Sequence, residues 1–103
     1  IPPDDAKGCL QDIYWPSGGI GYFPCYTLGA LMAAQLFARA RREIADLDGA
    51  IGRGDFAPLL AWLREHVHGQ GSRLGFDELV EAAAGAPLST APFLAHLEER
   101  YGA

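Results

Sequence analysis

Apolar residues recur at intervals of three and four across residues 28–51, and this period constrains the fold more than any other feature. Leu28, Leu31, Met32, Leu36, Ala40, Ile44, Leu47 and Ile51 fall on one side of a helix with about 3.6 residues per turn. Alanines at 30, 33, 34, 38, 40 and 45 favour helix locally. The spacing predicts one long helix over residues 27–48, closed by Gly49. Arg39, Arg41, Arg42 and Glu43 would form its solvated side, where exposed ion pairs are weak. Asp55 is the expected N-cap of a second helix with Phe56, Leu59, Leu60, Leu63 and Val67 inward, ending at Gly69 or Gly71. A third helix over residues 76–84 turns Phe76, Leu79, Val80 and Ala83 inward and stops at Gly85. Ser89 or Thr90 caps a fourth, with Pro92 in its first turn and Phe93, Leu97 and Tyr101 four apart. No alternating pattern competes, so the predicted class is all-α with about four helices.

Residues 1–25 break the period. They hold Pro2, Pro3, Pro16 and Pro24 together with Gly8, Gly18, Gly19 and Gly21. Proline removes backbone donors and glycine widens the accessible backbone, so this stretch is irregular, with room for one short helical turn near residues 7–13. It also carries Tyr14, Trp15, Tyr22 and Phe23, with Tyr26 just beyond. An irregular segment this aromatic packs against something or faces a ligand. The chain thus divides into an irregular stretch, 1–25, and a helical part, 26–103, of one segment.

Composition removes several function classes. Half of the 103 residues are hydrophobic and 20% are charged, which excludes a disordered chain. The net charge of −5 leaves no basic footprint for nucleic acid or an anionic membrane. No apolar run approaches the roughly 20 residues of a membrane span. The opening residues lack the basic and apolar regions of a signal peptide, and the first residue is isoleucine, as if the sequence began inside something longer. Cys9 and Cys25 match no zinc or redox spacing, and two free thiols fit a reducing cytoplasm.

Catalytic constellations are equally scarce. His66 and His68 are two apart, so they leave a helix on different sides, and His96 stands beside neither. There is no H-E-x-x-H, so no metal site is expected from this chain. Ser17, Ser72 and Ser89 sit in no G-x-S-x-G elbow, and Ser17-Gly18-Gly19 lacks the lysine of a phosphate loop. A helix-turn-helix over residues 55–84 would place Asp77, Glu78 and Glu81 against phosphates, which repel them.

One segment remains. Gly8-Cys9-Leu10-Gln11-Asp12-Ile13-Tyr14-Trp15 resembles the G-x-x-Q-D-x-H-W motif of the carboxypeptidase Taq family of zinc metallocarboxypeptidases. Gly21-Tyr22-Phe23-Pro24-Cys25-Tyr26-Thr27-Leu28-Gly29 is similar to its G-Y-F-P-x-Y-x-L-G stretch. Ala33-Ala34-Gln35-Leu36-Phe37 resembles the opening of the helix that follows, and Trp62-Leu63-Arg64-Glu65-His66-Val67-His68 its W-L-R-E-x-I-H stretch. The run from Phe93 to Tyr101-Gly102 looks like the family's end. The resemblance covers essentially the whole chain, in order.

It implies the C-terminal portion of a largely helical, homodimeric zinc peptidase that releases C-terminal amino acids from peptides. Zinc would belong to the remainder of the parent enzyme, and the chain alone would be inactive. Tyr22 looks like a hydroxyl donor to the oxyanion of the peptide carbonyl, with Tyr26 a weaker candidate. Tyr14, Gln11 and Asp12 fall in the substrate-side motif, and Tyr14 departs from it, since the motif has histidine there. A phenol donates a hydrogen bond but does not become cationic near pH 7. Apolar surface around residues 14–26 should be exposed where the rest of the enzyme would sit. A non-catalytic helical interaction module descended from such an enzyme is the alternative.

Overall fold

Pro24 starts the longest helix, where its fixed φ suits the first turn and its missing N–H costs nothing. This helix, α1, runs Pro24–Glu43 in the computed structural model, which describes residues 1–102. Four further α-helices follow: α2 Leu47–Gly52, α3 Ala57–His66, α4 Phe76–Ala84 and α5 Ala91–Tyr101. Single 3-10 turns form at Asp5–Lys7, Cys9–Gln11 and His68–Gln70. No strand occurs among the described residues, so the all-α class holds.

The predicted helix over 27–48 is in fact two. Ile44 is extended and Asp46 is left-handed at φ 53°, a conformation that L-residues adopt at a cost. The apolar period runs straight through the break, because Leu47 and Ile51 return to the same core from α2. Gly49 therefore terminates nothing. It lies inside α2, where a side chain would collide with the Asp46 carboxylate. The other boundaries fall close to expectation. The Asp55 carboxylate accepts the Ala57 N–H at 3.1 Å, one residue ahead of the N-cap position taken by Phe56. Ser89 Oγ does the same for Ala91 at 3.1 Å. Gly85 ends α4 at φ 78°.

The core is small. Leu36, Ala40, Leu47, Trp62, Val80, Ala83 and Ala84 are buried, with Met32, Phe37, Ile44, Ile51, Leu59, Leu63, Val67 and Leu88 packed around them. Leu28, Phe56, Leu60, Phe76 and Tyr101, all placed inward by their spacing, are exposed. The radius of gyration is 17.4 Å, against about 13 Å for a compact domain of this length. Among the described residues, no helix is long and apolar enough to cross a membrane.

The charged side of α1 is not merely solvated. The Trp62 indole N–H donates to Glu43 Oε2 at 2.6 Å and pins α3 to the end of α1. His66 stacks on the same indole at 4.4 Å. That indole bond, followed by Arg39, holds the Glu43 carboxyl below the usual carboxylate range. Arg41 reaches Asp48 at 3.0 Å and Glu99 at 3.2 Å, linking α1 to α2 and α5. Gln35 is the buried polar residue of this helix. Its amide donates to the carbonyls of Ala86 and Pro87 at 3.0 and 2.9 Å and accepts the Ser89 N–H at 2.9 Å.

Gln35 thus fastens the α4–α5 connection to α1. Replacing it by alanine should destabilise the chain by about 1–3 kcal/mol, since buried backbone groups lose their partners. Urea unfolding should show a lower midpoint with an unchanged slope. An unchanged midpoint would mean that water replaces the amide at no cost.

Candidate functional site

The segment ahead of α1 folds back on itself through local backbone demands. The Asp12 carboxylate accepts the Tyr14 N–H at 2.9 Å, the side-chain turn that aspartate favours. Ser17 Oγ donates to the Ile13 carbonyl, and the Gly19 N–H donates to the Tyr14 carbonyl at 2.7 Å. A Cβ on residue 19 would sit 3.1 Å from that carbonyl oxygen, so glycine allows the close approach. Gly21 turns the chain at φ 75° into α1. The result carries Tyr14 to the N-terminal end of α1.

Three phenols meet there. The Tyr14 and Tyr26 hydroxyls lie 2.8 Å apart in a hydrogen bond. The Tyr14 and Tyr22 rings stack at 5.1 Å with 13° between planes. Tyr26 meets Tyr22 edge-on at 5.5 Å, and Phe23 meets Tyr14 edge-on at 5.3 Å. Tyr14 is half-buried, whereas Tyr22 and Tyr26 remain 46% and 55% exposed. The hydrogen bond to Tyr14, then desolvation, pushes the Tyr26 phenol up to about 12. Neutral phenols of this kind donate hydrogen bonds to developing negative charge.

The sequence-predicted residues divide accordingly. Tyr14, Tyr22 and Tyr26 come together, and Asp12 fixes the Tyr14 backbone beside them. Gln11 instead donates its amide to the Ala6 carbonyl. Trp15, Ile20 and Phe23 are exposed, as expected for residues 14–26, and so are Leu10, Ile13 and Leu28 on either side in sequence. Phe23 escaped notice as a partner of Tyr14. The Tyr14–Tyr26 bond was also invisible, because its ends lie twelve positions apart across mostly irregular backbone.

Among the described residues, no three or more His, Cys, Asp and Glu side chains gather to hold an ion. His66 is engaged with the Trp62 carbonyl at 3.0 Å, and Cys9 and Cys25 are free and exposed.

An open aromatic wall on an all-helical frame, carrying the motifs described above, is the setting in which the chain meets its relatives. Residues 1–101 match the family model described as carboxypeptidase Taq (M32) metallopeptidase, and the chain belongs to that family. It is similar to thermostable carboxypeptidase 1 of Thermus thermophilus, at 46% identity over 102 residues, which is 99% of this chain and 20% of the relative. Thermostable carboxypeptidase 1 of Pyrococcus furiosus is 39% identical over 100 residues, again 20% of its length. The solved structure of Trypanosoma cruzi metallocarboxypeptidase 1 superimposes with a TM-score of 0.90 at 44% identity, over 95% of this chain and 21% of that one. The chain therefore spans about a fifth of the relatives it matches.

Alkaline titration followed by ultraviolet absorbance should show one phenol ionising near 12. In Tyr14→Phe that phenol should return towards its ordinary value. Since the folded form holds this proton longer than the unfolded chain does, the bond stabilises fully below pH 10, and that contribution is lost as the pH rises from 10 towards 12. Four phenols titrating together near 10 would rule out the bond in solution.

Proposed function

We propose that this chain is the C-terminal part of a zinc-dependent metallocarboxypeptidase, and that its aromatic cluster lines the groove in which peptides lose their C-terminal amino acids. The observation that carries the reading is the cluster itself: Tyr14, Tyr22 and Tyr26 converge in the family's motif segment, with Tyr22 and Tyr26 exposed. In such an enzyme the metal ion supplies Lewis-acid activation of water and carbonyl. Its ligands would come from polypeptide outside this chain.

The chain's own part is electrostatic. Attack on a peptide carbonyl places negative charge on its oxygen, and a preset hydroxyl stabilises that charge more than the ground-state carbonyl. Tyr22 is the proposed donor. Tyr26 is a weaker one, because its hydroxyl is already bonded to Tyr14. Asp12 and Gln11 border the substrate side while holding the local turn. The parent is read as a cytoplasmic homodimer, a reading to which the two free thiols are suited. Separated from the rest, this chain should release no amino acids from peptides.

In the full-length enzyme, Tyr22→Phe should lower kcat about 10²–10³-fold, the usual cost of one lost oxyanion donor, with little change in KM. The assay is amino-acid release from a blocked dipeptide. Full kcat in the variant would remove Tyr22 from the chemistry. Peptide hydrolysis by the isolated chain would remove the partial-enzyme reading.

A further inference from the structure

Tyr14 stands where the family motif has histidine, and its environment separates it from a substrate contact. Its backbone N–H is bonded to Asp12 at 2.9 Å, its carbonyl to Gly19 at 2.7 Å, and its hydroxyl to Tyr26 at 2.8 Å. The glycine at 19 closes this grip, since a Cβ there would press on both the Tyr14 carbonyl and its Cβ. A side chain anchored at both ends has little freedom left to follow a substrate.

The same anchors shape what surrounds Tyr22. Tyr14 covers one face of the Tyr22 ring at 5.1 Å, and Tyr26 meets that ring edge-on at 5.5 Å. The two gripping rings are joined through their hydroxyls. Whichever oxygen donates, the bond ties the two phenol tips together, and Tyr22 packs against both rings. Such stacked and edge-on pairs contribute about 0.5–1.5 kcal/mol beyond burial, and the linking bond keeps them in register.

We infer that Tyr14 is a positioning residue, which, bonded to Tyr26, holds the Tyr22 hydroxyl in the orientation required to meet the oxyanion. This rests on the role proposed above for Tyr22. The phenol at position 14 then acts by fixing a neighbour, in place of the imidazole of the motif.

The test uses Tyr14→Phe, Tyr26→Phe and the double variant in the full-length enzyme. Each single change keeps a ring and removes the shared bond. Each should lower kcat about tenfold, the value of one net hydrogen bond, with KM within about twofold. The double variant should lose no more than the worse single one, because both remove the same bond. In both single variants the Tyr22 ring resonances should move towards the unstacked position, with circular dichroism unchanged. Unchanged kcat and Tyr22 resonances in either single variant would overturn the inference. Losses that add in the double variant would overturn it too, since the phenols would then act separately. An inactive wild-type enzyme whose Tyr22 resonances still shift in both variants would sink the peptidase reading while upholding the positioning.

Discussion

The packing of this chain hangs on α1, because α2, α4 and α5 all pack against it. Leu36 and Ala40 are sealed by α4 and by Trp62, and Gln35 on the same helix binds the α4–α5 connection. At its C-terminal end Glu43 takes the Trp62 indole and Arg41 reaches both α2 and α5. A buried glutamine that meets three backbone groups specifies one arrangement of the loop, where an apolar residue would tolerate several. The opposite end of α1 is free of this core. There Phe23, Cys25 and Tyr26 are exposed, and the fold-back brings Tyr14 and Tyr22 against Phe23 and Tyr26. The core therefore fixes the helix, and the helix carries the phenols to the surface.

Much of this order was legible in the residues. The apolar period gave the helical class, and Pro92 and Gly85 marked their boundaries for stereochemical reasons that need no tertiary context. The break at residues 44–46 was hidden because the period continues across it, and backbone direction changes without any proline or glycine at Asp46. Glu43 was hidden for another reason. An exposed carboxylate on a helix reads as solvated unless the indole that meets it, nineteen residues later, is known to turn that way. Leu28, Phe56, Leu60 and Phe76 were assigned to the core by hydrophobicity, yet the chain has too few elements to cover them. Apolar spacing states which residues seek burial, and it does not state whether the covering surface belongs to the same segment.

That shortage of cover agrees with the length relation. A chain matching a fifth of its relatives has the radius of gyration of an open arrangement and a core of a few side chains. Its exposed apolar residues concentrate at residues 10–28, around the phenols, and not evenly over the surface. Scattered apolar residues are normal on any protein surface, but a contiguous group is the mark of a contact surface or a ligand groove. Under the proposed reading the two uses would coincide, with one flank packed and the other facing substrate.

The chemistry of the proposed groove differs from one built around histidine. An imidazole there can carry charge near neutral pH, and its protonation would vary with the pocket. A phenol stays neutral, and the Tyr14–Tyr26 bond keeps Tyr26 protonated still further into the alkaline range. With one proton used in the Tyr14–Tyr26 bond, the remaining phenol hydroxyls offer dipoles, so transition-state stabilisation in this role depends on orientation more than on charge. Orientation is what the fold-back supplies: Asp12 and Gly19 hold the backbone of Tyr14, and the linked phenols hold Tyr22. In the proposed role, the exchange of imidazole for phenol draws on the Tyr26 hydroxyl, which lies 2.8 Å from that of Tyr14.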